Sequence, residues 1–237
     1  MNEFRELVAP SLTTLFVEEI TRSILSNTLK VGEKLPNERE LAAMMKVSRA
    51  VVKGGINRLA NKGFVKVVPR KGVFVEDYKR QGGAEILLSL LEYNNGELEP
   101  PLLDSLYEVR ENTECDIIRL AAIHRTEHDL LALREQMKML EQENDPQKLA
   151  EETFKFYHLL AIASGNFVYP LTFYNSGKIY IPLFRMVYRK IPKTKRLQRM
   201  KKLVDLIEKK DVDESVECAR ELIKWGRKMV EKAVKLP

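Results

Sequence analysis

Cysteine, histidine and tryptophan are scarce in this 237-residue chain, with two, three and one respectively. Cys115 and Cys218 cannot build a disulfide framework, and they read as buried free thiols. Three histidines (His124, His128 and His158) leave little material for a metal centre. Long hydrophobic runs are missing too: none approaches the roughly 18 consecutive apolar residues that a bilayer span requires. The first ten residues carry Glu3, Arg5 and Glu6 and lack an apolar segment, so no secretory signal is expected. The expectation is a cytoplasmic protein without membrane association. Catalytic signatures are equally absent. No Gly-rich phosphate loop, nucleophile elbow or Ser-His-Asp or Cys-His set appears, and no enzyme is expected.

What the chain does have is apolar content for a real core, at 44%, and an uneven distribution of charge. The net charge is only +6. Between Lys34 and Lys71, however, ten basic residues face only Glu38 and Glu40, an excess larger than that of the whole chain. A basic run is usually a solvated face. Its position on local structure raises the nucleic-acid reading.

Phe16, Val17, Ile20, Ile24 and Leu25 recur at helical spacing over 13–26. Asn37 and Glu40 form a capping-box pattern for a second helix through Leu41, Ala42 and Met45. Ser48 is placed to cap a third helix, whose apolar face continues through Ile56 and Leu59 and which Gly63 ends. The period then changes to strand-like runs at 64–68 and 73–75, with Pro69-Arg70-Lys71-Gly72 as the turn between them. Three helices and a basic-tipped hairpin predict a winged helix-turn-helix. Its third helix would offer its N-terminal residues to the major groove.

The segments Leu35-Pro36-Asn37-Glu38-Arg39-Glu40-Leu41-Ala42 and Val47-Ser48-Arg49, with Gly63 and Gly72-Val73-Phe74-Val75, resemble the GntR family of bacterial transcription regulators. That resemblance covers roughly residues 12–76. It implies DNA contacts from Arg39, Ser48, Arg49, Val51, Lys53, Arg70, Lys71 and Gly72. The sequence departs from the family pattern at Lys53-Gly54-Gly55, where an Arg and two helix formers are usual.

Residues 77–83 read as a linker, and 84–237 as an all-α bundle. Helical segments are expected at 84–93, 102–123, 127–142, 147–163, 168–189, 194–209 and 213–234, with a loop from Asn94 to Pro101. Tyr107-Glu108-Val109-Arg110, Leu120-Ala121-Ala122 and Ala163-Ser164-Gly165-Asn166 resemble the FCD effector domain of the FadR subfamily. The stretch from His158 to Tyr169 is most similar to the fatty-acid-responsive FadR proteins, which bind acyl-CoA. The resemblance implies an anion-binding Arg110 and a cavity supplied by Tyr157, Asn166, Tyr180 and Arg185. Asn166 reads equally well as a helix cap, and the tyrosines as core aromatics. Most FCD proteins hold a divalent metal through one Asp and three His. Here those positions fall on Thr153, on Tyr157 (or, one residue on, His158), and near Met200 and Leu222. No metal and no resident cofactor is therefore expected. The cation run from Arg185 to Lys202 could take the phosphates of a CoA-like ligand through Lys193, Lys195 and Arg196.

The overall expectation is a mainly α homodimer: a winged helix-turn-helix at 1–76, a linker, and an effector domain. It would bind a double-stranded DNA operator under control of an anionic effector, such as an acyl-CoA or fatty-acid derivative. The alternative is a metal-dependent FCD regulator of a small carboxylic acid.

Overall fold

The computed structural model describes residues 9–93 and 100–235. The chain divides into two compact units, one up to Asn95 and the other from Gly96.

In the first unit, Ser11 Oγ accepts from the Thr14 amide at 3.1 Å and starts α1 (Leu12–Leu25), whose stripe Phe16, Val17, Ile20 and Ile24 turns inward. Asn37 opens α2 (Glu38–Met45) with the expected capping box: Oδ1 accepts from the Arg39 and Glu40 amides, both at 3.0 Å, and Glu40 Oε2 accepts from the Asn37 amide at 2.9 Å. Lys46 takes a left-handed conformation, φ 53, and turns the chain sharply towards Ser48 and α3 (Arg49–Lys62). Gly63 closes α3 at φ 87, where a side chain would be strained. Strands β1 (Val65–Val68) and β2 (Gly72–Val75) pair antiparallel, with Val65 opposite Val75 and Val68 opposite Gly72. Residues 32–35 cover the other edge of β2. The Gly32 and Leu35 amides donate to Val75 and Val73 carbonyls at 2.9 Å, and the Val75 amide donates to Glu33 O at 2.8 Å. Phe16, Val52, Leu59 and Phe64 are fully buried here. Burial contributes about 1.5–3 kcal/mol for each such large side chain.

The boundary between units differs from the expected one. Residues 77–83 are not a plain linker but contain α4 (Tyr78–Gln81). Ile86 of α5 (Ala84–Tyr93) is buried in the first unit's core, and Lys62 Nζ donates to Ser89 Oγ at 3.3 Å. The apolar face of α5 thus ties it to α1 and α3, and the first unit ends some ten residues beyond 84. The predicted loop residues 94–99 lie outside the described residues.

The second unit is helical throughout its described residues, in agreement with the expected bundle. Its helices are α6 (Pro100–His124), α7 (Glu127–Gln142), α8 (Pro146–Ala163), α9 (Val168–Asn175), α10 (Gly177–Lys190), α11 (Thr194–Glu208) and α12 (Val212–Lys235). α8 packs against α6, α7 and α10, and α12 runs along α6 and α11. The segment expected as one helix over 168–189 is two. The chain bends at Ser176, whose Oγ donates to Phe173 O at 2.6 Å. Gly177 follows, where a Cβ would come within 2.9 Å of the Phe154 ring. Packing against α8 therefore requires the glycine.

Candidate nucleic-acid interface and effector cavity

The basic window maps onto one module. Ser48 Oγ accepts from the Val51 amide at 3.3 Å, which fixes the N-terminus of α3, while its hydroxyl hydrogen stays free for another acceptor. Arg49 and Lys53 lie one turn apart on the exposed face, opposite Val52, Ile56 and Leu59, which are buried. Arg39 is exposed at the start of α2. Arg70, at φ 64, and Lys71 are exposed at the wing tip, and Gly72 carries φ 120. Val51 is half-buried and packs on the module's core, so only part of it is open to a partner. Among the described residues, Arg39, Arg49, Lys53, Arg70 and Lys71 form no ion pairs. Five uncompensated cations on one module, two of them in the first turns of α3, suit a polyanion.

The predicted effector residues separate. Arg110, Tyr157 and Tyr180 meet in the bundle interior. Asn166 does not join them: it is exposed, and its Oδ1 accepts from the Val168 amide at 2.9 Å, capping α9. Arg185 is half-buried and donates from Nη1 to Gln147 Oε1 at 3.0 Å. Lys193 caps α7, donating to the carbonyls of Leu140, Glu141 and Glu143 at 3.1, 2.7 and 2.5 Å. It is thereby already committed, and Arg196, expected on a solvated cation run, is only 3% exposed.

Arg110 is not an open anion hook. It sits 3% exposed on α6 and grips Glu114, one turn on, through Nε–Oε1 at 2.6 Å and Nη2–Oε2 at 3.0 Å. Its guanidinium carbon lies 4.8 Å from the Tyr180 ring centre, 5.2 Å from that of Tyr107, 5.6 Å from Phe184 and 5.8 Å from Tyr157. Burial pulls its pKa down, but the Glu114 carboxylate outweighs this and holds it well above the ordinary arginine range. Burial pushes the Tyr107, Tyr180 and Tyr188 hydroxyls up, so all three stay protonated donors at neutral pH. A cavity of about 200 Å³ opens onto the pair, lined by Arg110, Glu114, Thr113, Thr172, Phe173 and Tyr180. Glu114, Phe184 and Tyr107 were not foreseen here, and Arg196 was foreseen only as part of a cation run with Lys193 and Lys195. Glu114 had a signal, the i, i+4 spacing from Arg110.

A divalent metal does not fit the expected positions. Thr153 is fully buried, its hydroxyl 2.8 Å from the Tyr188 hydroxyl, and Tyr157 is packed among Phe156, Phe173 and Phe184. Met200 and Leu222 are buried apolar residues. His158 Nε2 lies 3.2 Å from Pro170 O, and His124 and His128 are exposed. Among the described residues, no three His, Cys, Asp or Glu side chains converge as a ligand set.

Comparison with known proteins agrees with this division. Residues 14–75 match the family model of bacterial regulatory proteins of the gntR family, and residues 105–224 match that of the FCD domain. The chain is 31% identical over 208 residues to the fatty acid metabolism regulator protein of Proteus mirabilis, covering 87% of this chain and 85% of that protein. It is 30% identical to the HTH-type transcriptional regulator Mce2R of Mycobacterium tuberculosis, covering 87% and 86%. Among solved structures it resembles E. coli McbR/YncC, at a TM-score of 0.54 and 17% identity over 96% of this chain and 100% of that one. That likeness supports the fold. By its two domain matches and by relatives about 30% identical over most of both chains, this chain belongs to the GntR family of DNA-binding transcription regulators, with an FCD effector domain behind its winged helix-turn-helix.

Proposed function

We propose that the protein binds a two-fold DNA operator as a homodimer, and that an acyl anion in the C-terminal unit, an acyl-CoA or another fatty-acid derivative, controls its affinity. The observation that carries the effector half is a cavity with largely apolar walls beside a buried cluster in which two arginines, Arg110 and Arg196, face one acid, Glu114. An amphiphile with a hydrocarbon body and an anionic end complements both features. The curated relatives named fatty acid metabolism regulators support the same class. On the DNA side, Arg49 and Lys53 would enter the major groove with Ser48 at the helix start, while Arg39, Arg70 and Lys71 hold backbone. One such module buries too little surface for tight specific binding, so two copies on paired half-sites are the physical expectation. No resident cofactor is needed. The effector acts by preferring one of two arrangements of the protein, and its leverage equals that preference.

The test begins with DNA enriched by the protein from a random pool. Decanoate and decanoyl-CoA are titrated into the labelled complex and anisotropy is read. At least one should shift operator affinity by roughly 5- to 150-fold, the usual span of allosteric coupling. If neither moves it while the complex stays intact, the effector half fails. Binding that is equally strong on scrambled DNA would remove the operator half.

A further inference from the structure

The buried cluster of the C-terminal unit does not balance its charge. It holds two arginines, Arg110 and Arg196, each 3% exposed, and one acid, Glu114. Glu114 is consumed by Arg110 in a two-point grip. Burial works against the Arg196 charge and Arg110 beside it is repulsive, but Tyr188 and Tyr157, the latter also by a side-chain hydrogen bond, hold its pKa above the ordinary arginine value; both are hydroxyls and not carboxylates. Arg196 Nε is buried without a hydrogen-bond partner, one of only two such side-chain atoms among the described residues. A charged donor left unmade inside a protein is expensive, and native structures rarely keep one without use.

Its location tells what would complete it. The Arg196 guanidinium carbon stands 4.4 Å from the centre of the Phe184 ring, and that of Arg110 stands 5.6 Å from the same ring. Phe184 stacks with Tyr180 at 6.3 Å, and Tyr180 lines the cavity at Arg110. Phe184 is thus a neighbour of both guanidinium groups, and a ligand in the cavity reaches Arg196 only if the Phe184 ring or the Arg196 side chain rotates. We propose that Arg196 is the residue that receives the effector's negative charge, and that the effector is a free monocarboxylate with an apolar body. This deepens the effector reading above and rests on it. One excess positive charge calls for one negative charge. A free acid supplies it at the cluster, whereas an acyl thioester or an alcohol brings a neutral group there and leaves Arg196 uncompensated. The several phosphates of a CoA moiety exceed what one buried cation can neutralise. Because Arg110 is already neutralised by Glu114, selectivity for the acid falls to Arg196.

The experiment uses the full-length protein with decanoate, decanol and decanoyl-CoA as probes, read by calorimetric titration and by melting temperature. Decanoate should bind at least about 10-fold more tightly than decanol, as expected where a charged donor gains its partner. Arg196→Met should erase that preference while decanol binding persists, and Arg196→Lys should keep part of it. Equal binding of acid and alcohol by the native protein overturns the proposal, and so does tighter binding of decanoyl-CoA than of decanoate. An unchanged acid preference in Arg196→Met does the same. Should Arg196→Met fail to fold, the native probe series decides the matter alone. Decanoate held through Arg196 without any effect on operator affinity would sink the regulatory reading and leave this site standing. Operator release by an acyl compound that ignores Arg196 would do the reverse.

Discussion

The two halves of the molecule use the same residue in opposite ways. In the winged helix-turn-helix, Arg39, Arg49 and Arg70 are exposed and unpaired, and caps rather than counter-ions position them. In the C-terminal unit, Arg110 and Arg196 are buried against aromatic rings, one paired and one not. Exposed cations add weak attractions that sum over a polyanion and vanish in salt. Buried cations act singly and demand a partner of fixed charge and place. Burial, more than residue type, separates a nucleic-acid face from a small-molecule site.

The most direct way to break this comparison is salt. A dimer neutralising about 6–10 phosphates should lose about 10³–10⁵ in operator affinity between about 50 and 200 mM monovalent salt. Decanoate affinity over the same range should change little, because a buried charge is screened far less. Parallel salt slopes for the two ligands would show that the C-terminal cations are reached from solvent, against their burial.

Next in size is the buried pair. Arg110→Met alone should destabilise the C-terminal unit by about 3–5 kcal/mol, since Glu114 is left charged and unpaired. The double variant Arg110→Met, Glu114→Leu should recover most of that loss, because apolar replacements of both partners remove the desolvation penalty as well as the attraction. Trp225, the only tryptophan, lies on α12, so its fluorescence in urea reports this unit alone. Additive losses in the double variant would mean that the two residues do not work as a pair. On the exposed side, Arg49→Ala should weaken specific binding by about 1–3 kcal/mol if it reads a base edge. Lys71→Ala should weaken all sequences alike and flatten the salt slope by about one. Exchanged behaviours would swap the roles of helix and wing.

Much of this contrast was legible in the sequence, and the lapses share a cause. Asn37 with Glu40, Ser48 and Gly63 act within four residues of themselves, and the structure bears out each. The hairpin and every helix of the bundle but one fall close to their periodic signals. The break at Ser176 escaped, and the glycine beside it is required by the Phe154 ring on another helix, which no local pattern shows. The pairing of residues 32–35 with β2 is likewise a contact across the fold. Arg196 was hidden by its own surroundings. It shares a stripe with Met200, Leu203 and Ile207, yet sits in a run of cations that reads as solvent-facing. Asn166 was open to two readings, and it is a cap. Sequence reports which groups a helix offers; which face is covered depends on partners far along the chain.

The smallest expected effect tests whether the recognition helix tolerates its unusual glycine pair for a reason. Both glycines lie inside α3, where each should cost about 1 kcal/mol relative to Ala. Their surroundings differ. A Cβ on Gly55 would fall 2.2 Å from Phe16 Cδ1, inside the ring that anchors α1 against α3. A Cβ on Gly54 would meet only Thr13 Cγ2, at an ordinary 3.6 Å. Gly55→Ala should therefore destabilise the module by about 1–3 kcal/mol, the range for overpacking a filled core. Gly54→Ala should stabilise it by about 0.5–1 kcal/mol through helix propensity. Thermal unfolding of the two variants gives opposite signs if Gly55 is a packing requirement and Gly54 only a loosening. If both stabilise, Phe16 has room to move and the closeness of α1 to the recognition helix is not what keeps the glycine. If Gly54→Ala stabilises the fold yet weakens operator binding, the same glycine keeps α3 pliant enough to settle into the groove, and its helix cost belongs to recognition.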